Sequence, residues 1–207
     1  MTPLVILGAG GFGRELLSWI EDINSILPRY EAIGFLDDAS TNQVVAGKPL
    51  LGALDQATRM EGVQFALAIA KPQVKAAVVQ RLELAPEKWA ELIHPTARIR
   101  ERTTHGIGLI LGPFSSLSVD VQVGNHLFLN GGAAIGHDSR LGDFCTLSPL
   151  AQILGGCMLG NRVSLGTSSV VAPGSILGDD VTLGPLTSTM RRVPDGVTLA
   201  APPGRRL

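Results

Sequence analysis

His137 and Asp138 stand side by side in the segment LFLNGGAAIGHDS, residues 127–139, with Asn130 seven residues before the histidine. An exposed imidazole beside a carboxylate can act as a general base near neutral pH, the carboxylate orienting the ring or holding the imidazolium. The bland alternative is a surface histidine with no task. A second constellation is Gly8-Ala9-Gly10-Gly11-Phe12-Gly13, which follows a short apolar run and opens a helical pattern. Glycines at 8, 10 and 13 allow a tight turn and the close approach of a phosphate, and a helix N-terminus offers free amides and a favourable dipole. Asp37 or Asp38, at the end of the next apolar run, is placed to accept hydrogen bonds from a ribose hydroxyl. Gly11, Phe12 and Lys71 complete the expected substrate-binding set. The alternative for this loop is a glycine turn that only lets the helix pack closely.

Two kinds of scaffold position these groups. From Leu111 through Leu117, Val123 and Leu129 to Leu177 and Leu183, every sixth residue is aliphatic, and a glycine often follows it. Neither a helical period nor strand alternation produces this beat; a solenoid does. The period predicts a parallel β-helix of triangular section, three short strands to a coil of 18 residues. Coils stack about 4.8 Å apart. Aliphatic residues stack inward, and a small residue two positions earlier fits the tight interior. Weaker beats at Ile99 and His105 extend the pattern by nearly one coil. His137 falls outward in this phase, whereas His105 falls in the inward phase.

The first 90 residues alternate differently. Strands are expected at 3–7, 32–36, 48–51 and 63–69, with helices after Gly13, near 54–60 and over 73–84. This alternation predicts a small parallel α/β domain, Rossmann-like in its glycine turn, over residues 1–90, and a solenoid domain over 91–207. A full dinucleotide fold needs two such halves, so a mononucleotide or nucleotide-sugar is expected rather than NAD. The net charge of −1 and the lack of a basic tract argue against nucleic-acid binding. No apolar run reaches the length of a membrane span, and the N-terminus has no basic segment of the secretory kind. Cys145 and Cys157 fall in inward small-residue slots on different faces, so free buried thiols and a cytoplasmic setting are expected.

With these residues in view, the chain resembles the bacterial sialic acid O-acetyltransferase and UDP-amino-sugar N-acetyltransferase family of sugar acyltransferases. The resemblance runs nearly the full length: GAGGFGRE at 8–15, FLDD at 35–38, His94-Pro95 before the coils, Asn130 with His137-Asp138, and MRRVPDGV at 190–197. It implies a left-handed β-helix that assembles as a homotrimer, with acetyl-CoA as acyl donor in grooves between subunits. It implies a nucleotide-sugar acceptor on the N-terminal domain. It also implies His137 as general base assisted by Asp138, with Asn130 in the catalytic set, and Gly155, Thr167 and Gly184 along the donor groove. The amide of Gly155 would meet the thioester oxygen. No metal is required for this chemistry.

The chain departs from the family at several places. Phe12 stands where some members carry histidine. Gly155-Gly156 replaces Gly-Asn. Pro185-Leu186 follows Gly184 in the late coil, and the tail reads Ala200-Ala201-Pro202-Pro203-Gly204-Arg205. Arg191, Arg192, Arg205 and Arg206 could meet donor phosphates, although each taken alone reads first as a solvated charge. Competing readings are a non-catalytic nucleotide-sugar-binding partner, the same acyl chemistry on a free sugar or amino acid, and a metal enzyme of the hexapeptide carbonic anhydrase type. The last would need three of His94, His105, His126 and His137 to meet across subunits.

Overall fold

The computed structural model describes residues 1–202. Strand β1 (Thr2–Leu7) is buried from Leu4 onward because both of its faces are covered. The turn at Gly8 leads into α1 (Gly11–Ile26), which buries Leu16, Leu17, Trp19 and Ile20 on one side, as an amphipathic helix must. Strand β2 (Tyr30–Leu36) pairs in parallel with β1. A small hairpin of β3 (Val44–Val45) and β4 (Lys48–Pro49) follows, then a 3-10 turn over Leu54–Arg59 where a helix is expected. Strand β5 (Gln64–Leu67) pairs with the other side of β1, giving the order β2-β1-β5. Helix α2 (Pro72–Leu82) starts with proline at its first position and ends where Glu83 turns left-handed, at φ 46°.

From Leu92 onward the chain winds into a left-handed parallel β-solenoid. Each rung is two residues long, and up to the last coil each pairs with the rung 18 residues later, as Phe128-Leu129 does with Thr146-Leu147. Three flat faces result. The docked face carries seven rungs, from Leu92–Ile93 to Thr198–Leu199. The middle face carries six, from Arg98–Ile99 to Ser188–Thr189, and the far face six, from Thr104–His105 to Arg192–Val193. Within a coil the chain runs docked face, first corner, middle face, second corner, far face, third corner. The second residue of each rung points inward, and Leu117, Leu129, Leu147, Leu165 and Leu183 are all fully buried in one core.

Two details escape the six-residue rule. Only Met190 and Arg191 separate the rungs Ser188–Thr189 and Arg192–Val193, so the last coil is shorter and Leu177 pairs with Val193, Leu183 with Leu199. His105 does not point into the core as its phase implies. Its rung is the first of the far face, with no coil beneath it, and the ring swings out to place Nε2 3.1 Å from Glu91. The third corner carries a ladder absent from the sequence-based expectations. The side-chain oxygens of Asp143, Asn161, Asp179 and Asp195 accept from the backbone amides of Asn125, Asp143, Asn161 and Asp179, at 2.6, 2.9, 2.8 and 3.0 Å. The glycine before each donor leaves room for the accepting side chain. Cys145 and Cys157 are buried and free, at the third and second corners.

The α/β domain sits on the docked face. Phe12 stacks on Phe128 with ring centres 4.2 Å apart, and Trp19 packs against both rings. Lys75 on α2 reaches the third corner, where Nζ donates to the carbonyls of His126 (2.7 Å) and Cys145 (3.0 Å) and to Thr146 Oγ1 (3.0 Å). Three acceptors and no neighbouring anion suit an ammonium, with its three donors. Burial acts against that charge and pulls the Lys75 pKa down to about 7. Tyr30 donates its hydroxyl to the Glu91 carbonyl, and His94 bridges Asp22 of α1 to Thr96, tying the junction from below.

His126 lies beside Lys75, edge-on to Trp89 and stacked on Phe144, and neither ring nitrogen finds a partner. Burial, reinforced by Lys75, lowers its pKa to about 4. The unfolded chain therefore binds a proton between about pH 6.5 and 4 that the folded chain refuses. Stability then falls with pH in that window by up to about 1.4 kcal/mol per unit. His126→Phe keeps the stack and removes the two unpaired nitrogens. Urea unfolding across pH 7.5 to 4 is expected to show a shallower acid slope for the variant, with equal or greater stability at neutral pH. Parallel slopes would show that His126 does not carry this proton.

Candidate active site

The second corner holds the groups with basic and hydrogen-bonding chemistry. His137 leaves the rung Ala134–Ile135 just as the chain turns, and its side chain is 64% exposed. Its Nδ1 lies 2.7 Å from Asp138 Oδ2. A carboxylate only accepts, so Nδ1 carries the proton and the lone pair of the neutral ring is on Nε2, beside Gly155. Gly155 lies one coil above. A Cβ on Gly155 would come within 2.5 Å of both Cε1 and Nε2 of His137, so the absence of a side chain there is what lets the ring lie across the corner. Gly156 N–H donates to the His137 carbonyl at 2.8 Å, while the Gly155 amide donates no hydrogen bond among the described residues. An exposed imidazole and a free backbone donor thus share one small space.

Asn130, Thr167 and Gly184 lie on the first corner, at the opposite edge of the middle face. Within one chain the strand Ala134–Ile135 separates Asn130 from His137, and the Asn130 Oδ1 accepts from Gly131 N–H at 2.6 Å. Pro185 and Leu186 beside Gly184 are exposed. Arg191 and Arg192 are exposed in the shortened coil, whereas Arg205 and Arg206 lie outside the described residues.

The α/β domain contains a cleft of about 520 Å³ lined by Gly8, Asp37, Asp38, Leu54, Ile69, Lys71, Val74 and Arg81. Four of the residues singled out from the sequence meet here. Asp37 is more committed than a free ribose acceptor. Its carboxylate takes the amides of Ala9 (2.7 Å), Ala39 and Ser40 (both 2.8 Å), so it pins the glycine loop to the end of β2. Partial burial alone would raise its pKa, and the three amides outweigh that and hold it low. Asp38 accepts from Leu54 N–H at 2.9 Å and pairs with Arg81 at 2.9 Å.

The glycines divide into two classes. Gly8 has φ +109° and a Cβ there would meet the Ala68 carbonyl, while one on Gly13 would overlap the Gly8 carbonyl. Those two serve packing. Gly10 and Gly11 face open space, and Gly10 caps α1 without any side-chain partner. Packing therefore leaves the middle of the loop unexplained, where a ligand's approach would account for it. Phe12 belongs to the aromatic seam with the solenoid rather than to the cleft.

Of the four histidines, His94 is structural, His105 pairs with Glu91, His126 is buried and His137 is exposed. Among the described residues no group of three or more His, Cys, Asp or Glu is placed to hold a metal ion. No described helix is long and apolar enough to cross a membrane. One feature beyond the sequence-based expectations bears on the site: a second cavity of about 310 Å³, lined by Ala70, Lys71, Pro72, Gln73, Thr146, Ser148, Ser164 and Thr182, adjoins the cleft at Lys71 and Gln73.

Residues 3–82 match the family model described as the PglD N-terminal domain. The chain is 27% identical over 153 residues to a GDP-perosamine N-acetyltransferase of Escherichia coli O157:H7, covering 72% of this chain and 69% of that protein. Among solved structures it resembles PerB from Caulobacter crescentus in complex with CoA and GDP-perosamine, with TM-score 0.82 and 25% identity over 96% of this chain and 94% of that one. It also resembles the acetyltransferase domain of PglB from Neisseria gonorrhoeae FA1090 in complex with acetyl coenzyme A, with TM-score 0.82 and 24% identity over 100% and 99% of the two chains. The chain thus carries a first domain that matches this family model, and along its whole length it resembles in fold the hexapeptide-repeat, left-handed β-helix sugar N-acetyltransferases.

Proposed function

We propose that this chain is an acetyl-CoA-dependent acetyltransferase acting on a nucleotide-linked amino sugar, with His137 as general base. The observation that carries the reading is the His137–Asp138 contact of 2.7 Å with the ring laid over Gly155. The kinship with nucleotide-sugar acetyltransferases supplies the substrate class. Bound acetyl-CoA supplies an activated acetyl thioester. Asp138 holds the Nδ1 proton in place, and Nε2 takes a proton from the attacking amine or hydroxyl as the new bond to the acetyl carbon forms. The free amide of Gly155 is available to the carbonyl oxygen as it gains charge. The proton on Nε2 then leaves with the CoA sulfur. Both cysteines are buried, and burial raises the Cys145 thiol to about 11, so direct transfer is favoured over an acyl-cysteine.

The α/β cleft is assigned to the nucleotide, with Gly10 and Gly11 giving the phosphates access to the start of α1, and Asp38 and Lys71 at its edge. The domain boundary near residue 90 separates acceptor binding from chemistry. A homotrimer fits the layout, because Asn130, Thr167 and Gly184 occupy one edge of the middle face and His137 and Gly155 the other. A neighbouring copy would bring opposite edges together. Phe114, Leu150 and Leu186, 75%, 56% and 74% exposed, stand on alternate coils of the first corner, where such contact would cover them. Two free thiols support a reducing, cytoplasmic setting.

Acceptor-dependent thiol release from acetyl-CoA, over UDP-, GDP- and dTDP-linked amino sugars plus free sialic acid, tests the reading. Release is expected with a nucleotide-linked amino sugar and not with buffer alone. Nucleotide binding without thiol release from any acceptor would favour a non-catalytic binder. His137→Asn is expected to lower kcat by about 100-fold or more with ligand affinities kept; unchanged turnover would remove His137 from its role. Gly155→Ala should push the imidazole aside and lower kcat without loss of fold, as judged by circular dichroism, whereas a normal kcat would show that the ring position is unimportant. Gly10→Ala should preserve the melting temperature and weaken nucleotide-sugar binding at least about tenfold. Equal binding would leave the glycine loop without a ligand.

A further inference from the structure

Gly155 meets two demands that conflict. It must lack a side chain, because a Cβ there would come within 2.5 Å of the His137 ring. A glycine, however, gives up the steric restraint on φ that other residues carry. Its amide keeps one direction only if something else holds the peptide it belongs to. That peptide is Leu154–Gly155. It is planar and trans, so the Leu154 carbonyl and the Gly155 N–H point in opposite directions, and holding one aims the other.

The next peptide of the turn is held by backbone at both ends. Gly156 N–H donates to the His137 carbonyl at 2.8 Å, and the Gly155 carbonyl accepts from Gly174 N–H at 3.0 Å. The Leu154 carbonyl accepts from no backbone amide among the described residues. A side chain supplies its partner. Ser139, two residues after His137, is fully buried, and its Oγ lies 3.2 Å from the Leu154 carbonyl oxygen and 3.4 Å from that of His137. A hydroxyl has one proton to give. The His137 carbonyl already has the Gly156 amide, so the proton goes to Leu154. The same Oγ accepts from Cys157 N–H at 3.2 Å, so Ser139 grips the turn on both sides of Gly155.

Other coils make this bond from the same inward slot. Thr103 Oγ1 donates to the Ser118 carbonyl at 2.7 Å, and Cys157 Sγ lies 3.2 Å from the Ala172 carbonyl. Val119 follows Ser118 and carries a Cβ that limits its φ, while Pro173 follows Ala172 and has no N–H to aim. At Ser139 the bond meets an unrestrained glycine beside an imidazole.

We infer that Ser139 is a positioning residue for acetyl transfer: by holding the Leu154 carbonyl toward the core, it aims the Gly155 amide at the oxygen of the acetyl thioester. The inference rests on the proposed acetyltransferase reading, with Gly155 as backbone donor, and adds the group that keeps that donor in place. Ser139 touches neither substrate. Its effect belongs to the transition state, where the oxygen gains charge, so it enters kcat and leaves binding nearly untouched.

The test compares wild type, Ser139→Ala and Ser139→Cys, the last keeping a donor as Cys157 does in this slot one coil above. Thiol release gives kcat and both KM values from about pH 6 to 9, calorimetry gives the affinity for CoA, and melting temperature checks the fold. Ser139→Ala is expected to lower kcat about tenfold, with KM values and CoA affinity within about twofold of wild type and an unshifted pH profile. Ser139→Cys is expected to recover at least about half of the lost kcat. If Ser139→Ala does not fold, Ser139→Val takes its place, since Val121 fills this slot one coil below. Unchanged kcat in the folded variant, or a cysteine no better than alanine, would overturn the role. A shifted pH profile would do so too, by placing the effect on the His137 base. A wild type that releases no thiol with any acceptor fails the acetyltransferase reading and this inference with it. Turnover lost in His137→Asn but kept in Ser139→Ala fails this inference alone.

Discussion

Parallel rungs hydrogen-bonded at about 4.8 Å leave no space between stacked corners for a side chain to lie flat, unless the residue facing it in the adjoining coil gives up its Cβ. This steric limit governs the solenoid. At the third corner, glycines at 106, 124, 142, 160 and 178 make room for the asparagine and aspartate ladder that binds one coil to the next. At the second corner the same device is used once for a different end. Gly155 vacates the space into which the His137 ring settles, and Gly156 secures the turn through the His137 carbonyl. A structural rule of the coil and the placement of the His137 ring are therefore one constraint, and the free amide of Gly155 comes with it.

The second dependence is the seat of the α/β domain. A domain resting on a flat sheet through apolar contact alone could slide along the strands. Here the Phe12–Phe128 stack sets one end, and Lys75, reaching carbonyls of two successive coils, sets the other. This buried pin cannot shift by a coil without abandoning all three acceptors, which is a large penalty. That fixed register is what sets the start of α2, with Lys71 and Gln73, beside Thr146, Ser164 and Thr182 of the docked face.

Much of this was legible in the residues, for identifiable reasons. The aliphatic beat from Leu111 to Leu183 specifies coil, face and inward position at once, because stacking repeats one local geometry. The outward placement of His137 followed from the same count. Where the repeat ends, so does the inference. His105 kept its phase but lacked a coil beneath it, and the loss of two residues at Met190–Arg191 is invisible without knowing which rungs pair. The Gly-Asn and Gly-Asp pairs at 124–125, 142–143, 160–161 and 178–179 did carry a signal, since they recur every 18 residues. Lys75 carried none. A lysine on a helix reads as a solvated charge, and only the docking of two distant segments buries it. Asp37 and Phe12 were found as candidates, but their partners Ala9 and Phe128 come from the tertiary arrangement.

The split of the candidate residues between two corners bears on why the chain is built as two domains. Asn130, Thr167 and Gly184 stand at one edge of the middle face, and His137 with Gly155 at the other. On the proposed function, an acceptor held in the α/β cleft would lie nearer the first corner than to its own chain's His137, and would meet a histidine presented by an adjoining copy whose second corner lay against the first. The exposed Phe114, Leu150 and Leu186 stand at that first corner. On that reading assembly would be a condition of the chemistry, since each copy would hold an acceptor near one edge of the face and a base at the other.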